Sequence, residues 1–156
     1  MGIKSFQGKR EVHKGAENAQ FLVSDYMTKK LVTFKPDDSL DDVIHLLIAH
    51  KISGGPVVND KNELIGIISE TDCIKHISES KYYNMPSDSG NNVAKKMNTN
   101  IDTIDKKMNI FDAATKFINS KRRRFPVVEN GKLIGQISQK DVLKAALSFR
   151  GNTWKK

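Results

Sequence analysis

Pro56-Val57-Val58-Asn59-Asp60-Lys61-Asn62-Glu63-Leu64-Ile65-Gly66-Ile67-Ile68-Ser69 decides the fold, because it returns as Pro126-Val127-Val128-Glu129-Asn130-Gly131-Lys132-Leu133-Ile134-Gly135-Gln136-Ile137-Ser138. Each version holds two β-branched apolar runs around a polar turn, which predicts a hairpin. The second turn, Glu129-Asn130-Gly131-Lys132, is shorter by one residue. The likeness extends outward in both directions. Residues 23–60 align with 93–130 at an offset of 70, and 62–77 align with 131–146 at an offset of 69, with 16 of 54 positions identical. The chain is an internal duplication.

Ahead of each hairpin lies a helix. Leu40, Val43, Ile44, Leu47 and Ile48 fall at i, i+3, i+4, i+7 and i+8, and Ile110, Ala113, Ala114, Phe117 and Ile118 repeat that spacing, so each marks one apolar helix face. Asp37, Asp38 and Ser39 offer capping oxygens and negative charge at the first helix start, and Asn109 takes the Ser39 place in the second. Leu31-Val32-Thr33-Phe34 and Ile101-Asp102-Thr103-Ile104 read as short strands before these helices, and a closing helix follows Ser69 and Ser138. The predicted order is strand, helix, strand, strand, helix, twice. A unit of about 55 residues is marginal alone, so the expected fold is α+β (α/β-like), two tandem repeats packed sheet to sheet with pseudo-twofold symmetry. The predicted boundaries are a loosely held arm (1–22), repeat one (23–78), a linker (79–92), repeat two (93–149) and a tail (150–156).

The composition fits one compact module. The chain has 156 residues, 38% hydrophobic and 28% charged, with ten glycines and four prolines, which excludes collagen-like and broadly disordered classes. No apolar run approaches the ~20 residues of a membrane span, and the first twenty residues are too polar for a secretory leader. Met1-Gly2 opens like a myristoylation site, but Phe6 stands where that motif needs Ser or Thr. The single cysteine, Cys73, has apolar neighbours and reads as a buried small residue. A cytoplasmic protein without a membrane anchor is expected.

With the duplication established, the residues identify a family. Ile52-Ser53-Gly54-Gly55-Pro56-Val57-Val58 and Arg123-Arg124-Phe125-Pro126-Val127-Val128 are each followed by a Gly-x-Ile-Ser-x-x-Asp ending, Gly66, Ile68, Ser69 and Asp72, then Gly135, Ile137, Ser138 and Asp141. This ordered set, present twice, closely resembles a CBS-domain pair, or Bateman module, over residues 23–146. The resemblance implies a regulatory module that binds AMP, ADP, ATP or S-adenosylmethionine in clefts between the repeats. It also implies a homodimer joined through helical faces. An effector protein to receive the signal is a further expectation.

Each implied site residue also has a reading that needs no ligand. Ser69 with Asp72, and Ser138 with Asp141, have capping-box spacing. The resemblance instead makes the acids acceptors for a ribose diol, work suited to an acceptor-only carboxylate, with Thr71 in the same turn. The two readings coexist, since a helix start already attracts phosphate. Lys121-Arg122-Arg123-Arg124 could be a solvated patch at a helix end. The resemblance places Arg123 and Arg124 on phosphate, where a planar guanidinium gives bidentate bonds, with Ser53 and Gly54 in the matching places of repeat one. Thr33 and Thr103 suit strands on steric grounds; the resemblance makes them walls of the adenine site, with Leu31 and Ile101 as apolar neighbours. Asp102 departs from the apolar norm of that wall.

No chemistry beyond binding is expected. His45 and His50 differ by five positions and miss the i, i+4 spacing of a helical metal pair. There is no Walker loop, no Gly-x-Gly-x-x-Gly and no supported Ser/His/Asp set, so neither an enzyme nor a required cofactor is expected. The formal charge of +8 raises nucleic acid or another polyanion as the alternative partner. Against it, Phe117 and Phe125 near the basic run belong to the predicted core, leaving no stacking platform. The charge is also uneven. Repeat one carries −3 and repeat two +7, an asymmetry that favours unequal phosphate sites.

Overall fold

The computed structural model describes residues 21–83 and 91–154. Repeat one supplies α1 (Val23–Tyr26), α2 (Leu40–His50), β1 (Gly54–Val58), β2 (Leu64–Ser69) and α3 (Glu70–Tyr83). Repeat two supplies α4 (Val93–Lys96), β3 (Ile104–Asp105), α5 (Ile110–Asn119), β4 (Arg124–Glu129), β5 (Lys132–Ser138) and α6 (Gln139–Trp154). The mixed α and β order holds in both copies.

The hairpins form where the turn residues predict. Strand β1 pairs antiparallel with β2, in a register that sets Gly54 opposite Ser69 and Pro56 opposite Ile67. In its turn the Asn59 side-chain oxygen accepts from the backbone N–H groups of Lys61 and Glu63, each at 2.9 Å. The tighter turn between β4 and β5 has positive φ at both Asn130 (52°) and Gly131 (80°), the conformation a two-residue hairpin demands and Asn-Gly accepts at low cost. The initial strands are shorter than the sequence predicts. Repeat one keeps one parallel bridge, Phe34 to Val57, and repeat two keeps Ile104–Asp105, parallel to β4. The caps are as read: Ser39 Oγ accepts from Asp42 N–H at 3.1 Å, and Asn109 Oδ1 from Asp112 N–H at 2.8 Å.

The compact units differ from the sequence repeats. Among the described residues, one unit joins Lys30–Asp102 with Asn130–Leu133; the other joins Phe21–Lys29, Thr103–Glu129 and Ile134–Trp154. We call them the first-repeat and second-repeat units. In the first, Phe34, Leu40, Val43, Leu47, Val57, Ile68 and Cys73 bury themselves together with Val93 of α4. In the second, Ile104, Ile110, Ala113, Phe117, Phe125, Val127 and Ile137 enclose Phe21 and Val23. Each core is therefore completed by the segment that opens the other repeat. The same exchange seats Met97 against Gly66 and Met27 against Gly135, where an added Cβ would come within 2.4 and 2.7 Å of sulfur.

This arrangement corrects parts of the sequence reading. Phe21 and Leu22 are not loosely held: Phe21 is buried, its carbonyl accepts from Ile110 N–H at 2.7 Å, and Leu22 bridges Asn109. The expected linker is helical at its start, since α3 runs to Tyr83, and structured at its end, where Asn92 caps α4. The first five residues of the expected tail, Arg150 to Trp154, continue α6. The remainder of the arm, the linker and the tail lies outside the described residues. Ile48 and Ile118, on the edge of the predicted apolar stripes, are exposed.

Segment exchange has a direct consequence for fragments. Residues 23–83 and 91–154, each produced alone, are expected to show no cooperative thermal transition by circular dichroism, because each lacks the valine that fills its core. A sharp melt from either fragment would contradict the exchange.

Candidate ligand-binding site

Helices α3 and α6 start in the same way. Asp72 Oδ2 accepts from Ser69 N–H at 2.8 Å and from Ser69 Oγ at 3.0 Å, while Asp72 N–H donates to Ser69 Oγ at 3.4 Å. In repeat two, Ser138 N–H donates to Asp141 Oδ2 at 2.9 Å and Asp141 N–H to Ser138 Oγ at 3.1 Å. Both pairs are capping boxes, so the structural reading of these residues holds. A carboxylate has about four acceptor positions. Capping through Oδ2 leaves capacity for a second partner, and both acids are half-buried rather than sealed.

A backbone tie brings the residues before each proline to these helix starts. Glu70 N–H donates to the Ser53 carbonyl at 2.8 Å, and Gln139 N–H to the Arg123 carbonyl at 3.1 Å. Sequence neighbours of β1 and β4 thereby sit beside the N–H groups that open α3 and α6. In the first-repeat unit this gathers Ser53, Gly54, Ser69, Thr71 and Asp72. At Gly54 an added Cβ would lie 2.7 Å from the Ile68 carbonyl oxygen, so the close approach of backbone in this copy favours glycine. Its identity needs no ligand to explain it.

In the second-repeat unit the same construction gathers Arg123, Arg124, Ser138 and Asp141. Arg124 opens β4 and is half-buried, whereas Arg123 and Lys121 are exposed. The Arg122 carbonyl accepts from Gln139 Nε2 at 3.4 Å, a second tie to α6. Phe117 and Phe125 are buried, and Lys116 Nζ stands 5.2 Å from the centre of the Phe125 ring. The aromatics near the basic run thus belong to the core.

The strand residues are placed less uniformly. Thr33 is exposed and precedes Phe34, whose N–H donates to the Pro56 carbonyl at 3.0 Å. Thr103 is half-buried and precedes Ile104, the partner of Val127. Each threonine therefore lies at the edge of its own proline strand. Ile101 is half-buried and falls in the first-repeat unit. Lys140 is the residue that the sequence reading passed over: it matches Thr71 in the repeat alignment and is exposed in the first turn of α6. The signal was present, because that alignment assigns it a cation at a helix start.

A groove of about 530 Å³ on the first-repeat unit includes Ser53 and Glu70 in its lining but not Ser69, Thr71 or Asp72. It shares Ser53 with the cluster at the start of α3 and extends from there over other residues of α2 and α3. Cys73 is buried at this groove, and burial, followed by the Asp72 and Glu70 carboxylates, pushes its thiol pKa up. Among the described residues, no helix is long and apolar enough to cross a membrane, and no three His, Cys, Asp or Glu residues could hold a metal ion.

Comparison with known proteins gives one consistent likeness. The family model for the CBS domain matches residues 23–79 and 92–148. The CBS domain-containing protein CBSX2, chloroplastic, of Arabidopsis thaliana is 31% identical, over 88% of this chain and 68% of that protein. Uncharacterized protein MJ1426 of Methanocaldococcus jannaschii is 32% identical, over 81% of this chain and 91% of that one. A crystal structure of CBSX2 in complex with AMP matches with a TM-score of 0.74 at 32% identity, covering 83% of this chain and 98% of the other. The chain spans about two thirds of the length of CBSX2 and less than half of some other curated relatives.

Two outcomes follow from this geometry. Asp72→Ala and Asp141→Ala should each lower stability by about 1 kcal/mol in urea melts of ligand-free protein, through loss of a cap; stability equal to the parent would show that the caps carry no weight. For Cys73, a raised folded-state pKa favours the thiol, and its contribution to stability is present below the unfolded value and lost as pH rises through the folded one. Iodoacetamide at pH 8 should therefore label native protein at least tenfold more slowly than urea-unfolded protein, and equal rates would contradict the burial.

Proposed function

The chain belongs to the CBS-domain family, with the domain present twice, and from that premise we propose that it is a regulatory module binding adenosine-containing ligands. AMP, ADP and ATP are the first candidates, with S-adenosylmethionine in the same class. CBSX2, a relative with a similar fold, has been crystallised with AMP. The observation that most supports the reading here is the backbone tie that sets Ser53 beside Ser69 and Asp72, and Arg123 beside Ser138 and Asp141. A helix start, a hydroxyl and an uncommitted carboxylate oxygen then stand together. That combination suits phosphate, through N–H groups and dipole, and a ribose diol, through the acid.

In this reading Asp72 and Asp141 accept from ribose hydroxyls while Ser69, Thr71 and Ser138 line the same turns. Thr33 and Ile101 bound the base in the first-repeat unit, and Thr103 does so in the second. Arg123 and Arg124 bind phosphate by charge-assisted bonds, roughly twice as strong as neutral ones. Ser53 and Gly54 occupy their places in repeat one, so the two sets are unequal. The one with arginines takes the more highly charged ligand. The module acts by binding rather than turnover, pairs with a second copy, and passes its ligand state to an effector protein.

Calorimetric titration and melting curves test this directly. A nucleotide at 100 times its Kd should stabilise the folded chain by about 2.7 kcal/mol, raising Tm for AMP or ATP above any change caused by RNA or heparin. Arg123→Ala with Arg124→Ala should weaken AMP at least tenfold and leave adenosine nearly unchanged. Equal Tm shifts from every polyanion, with no preference for adenosine compounds, would overturn the proposal in favour of general polyanion binding.

A further inference from the structure

Met27 and Met97 end the short helices α1 and α4, and each lies across a buried glycine of a hairpin's second strand, Gly135 in β5 and Gly66 in β2. A Cβ added at Gly66 would stand 2.8 Å from Met97 Cγ and closer still to its sulfur. One added at Gly135 would stand 2.7 Å from the Met27 sulfur and 3.1 Å from its Cγ. The thioether fills the space that a side chain on the strand would take. Backbone bonds hold it there. Asn98 N–H donates to the Ile67 carbonyl at 2.8 Å and Ile67 N–H to the Asn98 carbonyl at 2.9 Å, and Thr28 and Gln136 exchange the same pair at 2.8 and 2.9 Å. Each methionine N–H also donates, at 2.8 Å, to the carbonyl of Val23 or Val93, the valine its segment delivers to a core. The methionines are thus the points at which the exchanged segments are fastened.

A small oxidant can reach both sulfurs. The two methionines are half-buried, and the residues that follow them, Thr28 to Lys30 and Asn98 to Asn100, are exposed. Cys73 differs. It is buried, and burial, followed by the Asp72 and Glu70 carboxylates, pushes its thiol pKa up, so it offers little of the thiolate that a peroxide attacks. Met108 is half-buried against the second-repeat core and covers no glycine among the described residues.

We propose that Met27 and Met97 are modification sites for hydroperoxides, whose oxidation to the sulfoxide unfastens the exchanged segments. A sulfur lone pair attacks a peroxide oxygen, the S–O bond forms as the O–O bond breaks, and water or an alcohol leaves. Sulfur loses two electrons and the peroxide gains them, so the hydroperoxide is the sole co-reactant. The product is polar and chiral, with a strong acceptor oxygen. Its surroundings are apolar: Met97 packs on the cluster containing Phe34, Leu40 and Val57, and Met27 on that containing Phe21, Ile104 and Val127. An acceptor buried there without a donor is costly, and close packing over the glycine leaves no room on the strand side. The sulfoxide turns outward and draws its segment from the core. A methionine sulfoxide reductase restores the thioether, so the change is reversible. This inference goes beyond ligand binding and does not depend on it.

The test uses the full chain without nucleotide. Hydrogen peroxide should lower Tm by at least about 5 °C, in proportion to the sulfoxide that peptide mass mapping finds at Met27 and Met97. Methionine sulfoxide reductases A and B with dithiothreitol should return Tm to the untreated value. Met27→Leu with Met97→Leu, a swap of similar volume, should melt at the same temperature before and after peroxide; norleucine in place of every methionine gives the same readout if leucine disturbs the packing over glycine. An unchanged Tm with both methionines oxidised, or a loss of Tm that tracks sulfoxide at Met108 instead, would overturn the proposal. So would a native chain in which Met27 and Met97 stay unmodified at peroxide concentrations that fully oxidise the urea-unfolded chain.

Discussion

Two backbone hydrogen bonds, Glu70 N–H to the Ser53 carbonyl and Gln139 N–H to the Arg123 carbonyl, hold the rest of the arrangement in place. Each fastens the entry of a proline strand to the first turn of the helix that leaves the hairpin. Without that tie, Ser69–Asp72 and Ser138–Asp141 would be ordinary helix caps with no second group beside them. With it, each cap acquires the residues that precede the proline as neighbours, which is the arrangement the proposed function uses. The capping bonds fix both acids in place, and under the proposed function this lowers the ordering cost of binding.

Much of this was legible because the chain states it twice. A hairpin at Pro56–Ser69 is a modest inference, but a second hairpin with the same Pro-Val-Val and Leu-Ile-Gly pieces makes it firm, and both formed. The segment exchange was not legible. Val23 and Val93 are identical in the alignment, as are Met27 and Met97, and that identity says they do the same job without saying in which core. Buried valines fit either of two related cores, so periodicity gives no preference, and only the contacts distinguish them. The short helices at Val23–Tyr26 and Val93–Lys96 escaped for a related reason, since four residues are fewer than any helical period needs to declare itself.

The site residues divide along similar lines. Ser and Asp at capping spacing can be read directly, because capping is local and needs no knowledge of the fold. The neighbourhood of Arg123 depends on pairing across a hairpin, which the sequence supports only through the repeat. Gly54 shows the limit most clearly: it stands in a motif associated with ligands, yet contact with the Ile68 carbonyl is sufficient reason for glycine there. The initial strands shrank because only Phe34 and Ile104–Asp105 reach a paired neighbour.

The excess positive charge of repeat two includes Arg123 and Arg124, which lie beside the start of α6. The central claim concerns that neighbourhood and its counterpart in repeat one. It is tested most directly by amide NMR of the full chain titrated with AMP. The account predicts that the largest shift changes fall on Ser53, Gly54 and Ser69–Asp72, or on Arg123, Arg124 and Ser138–Asp141, with the groove residues Ile48 and Ile77 unmoved. Changes centred on those groove residues, or none at saturating AMP, would contradict it.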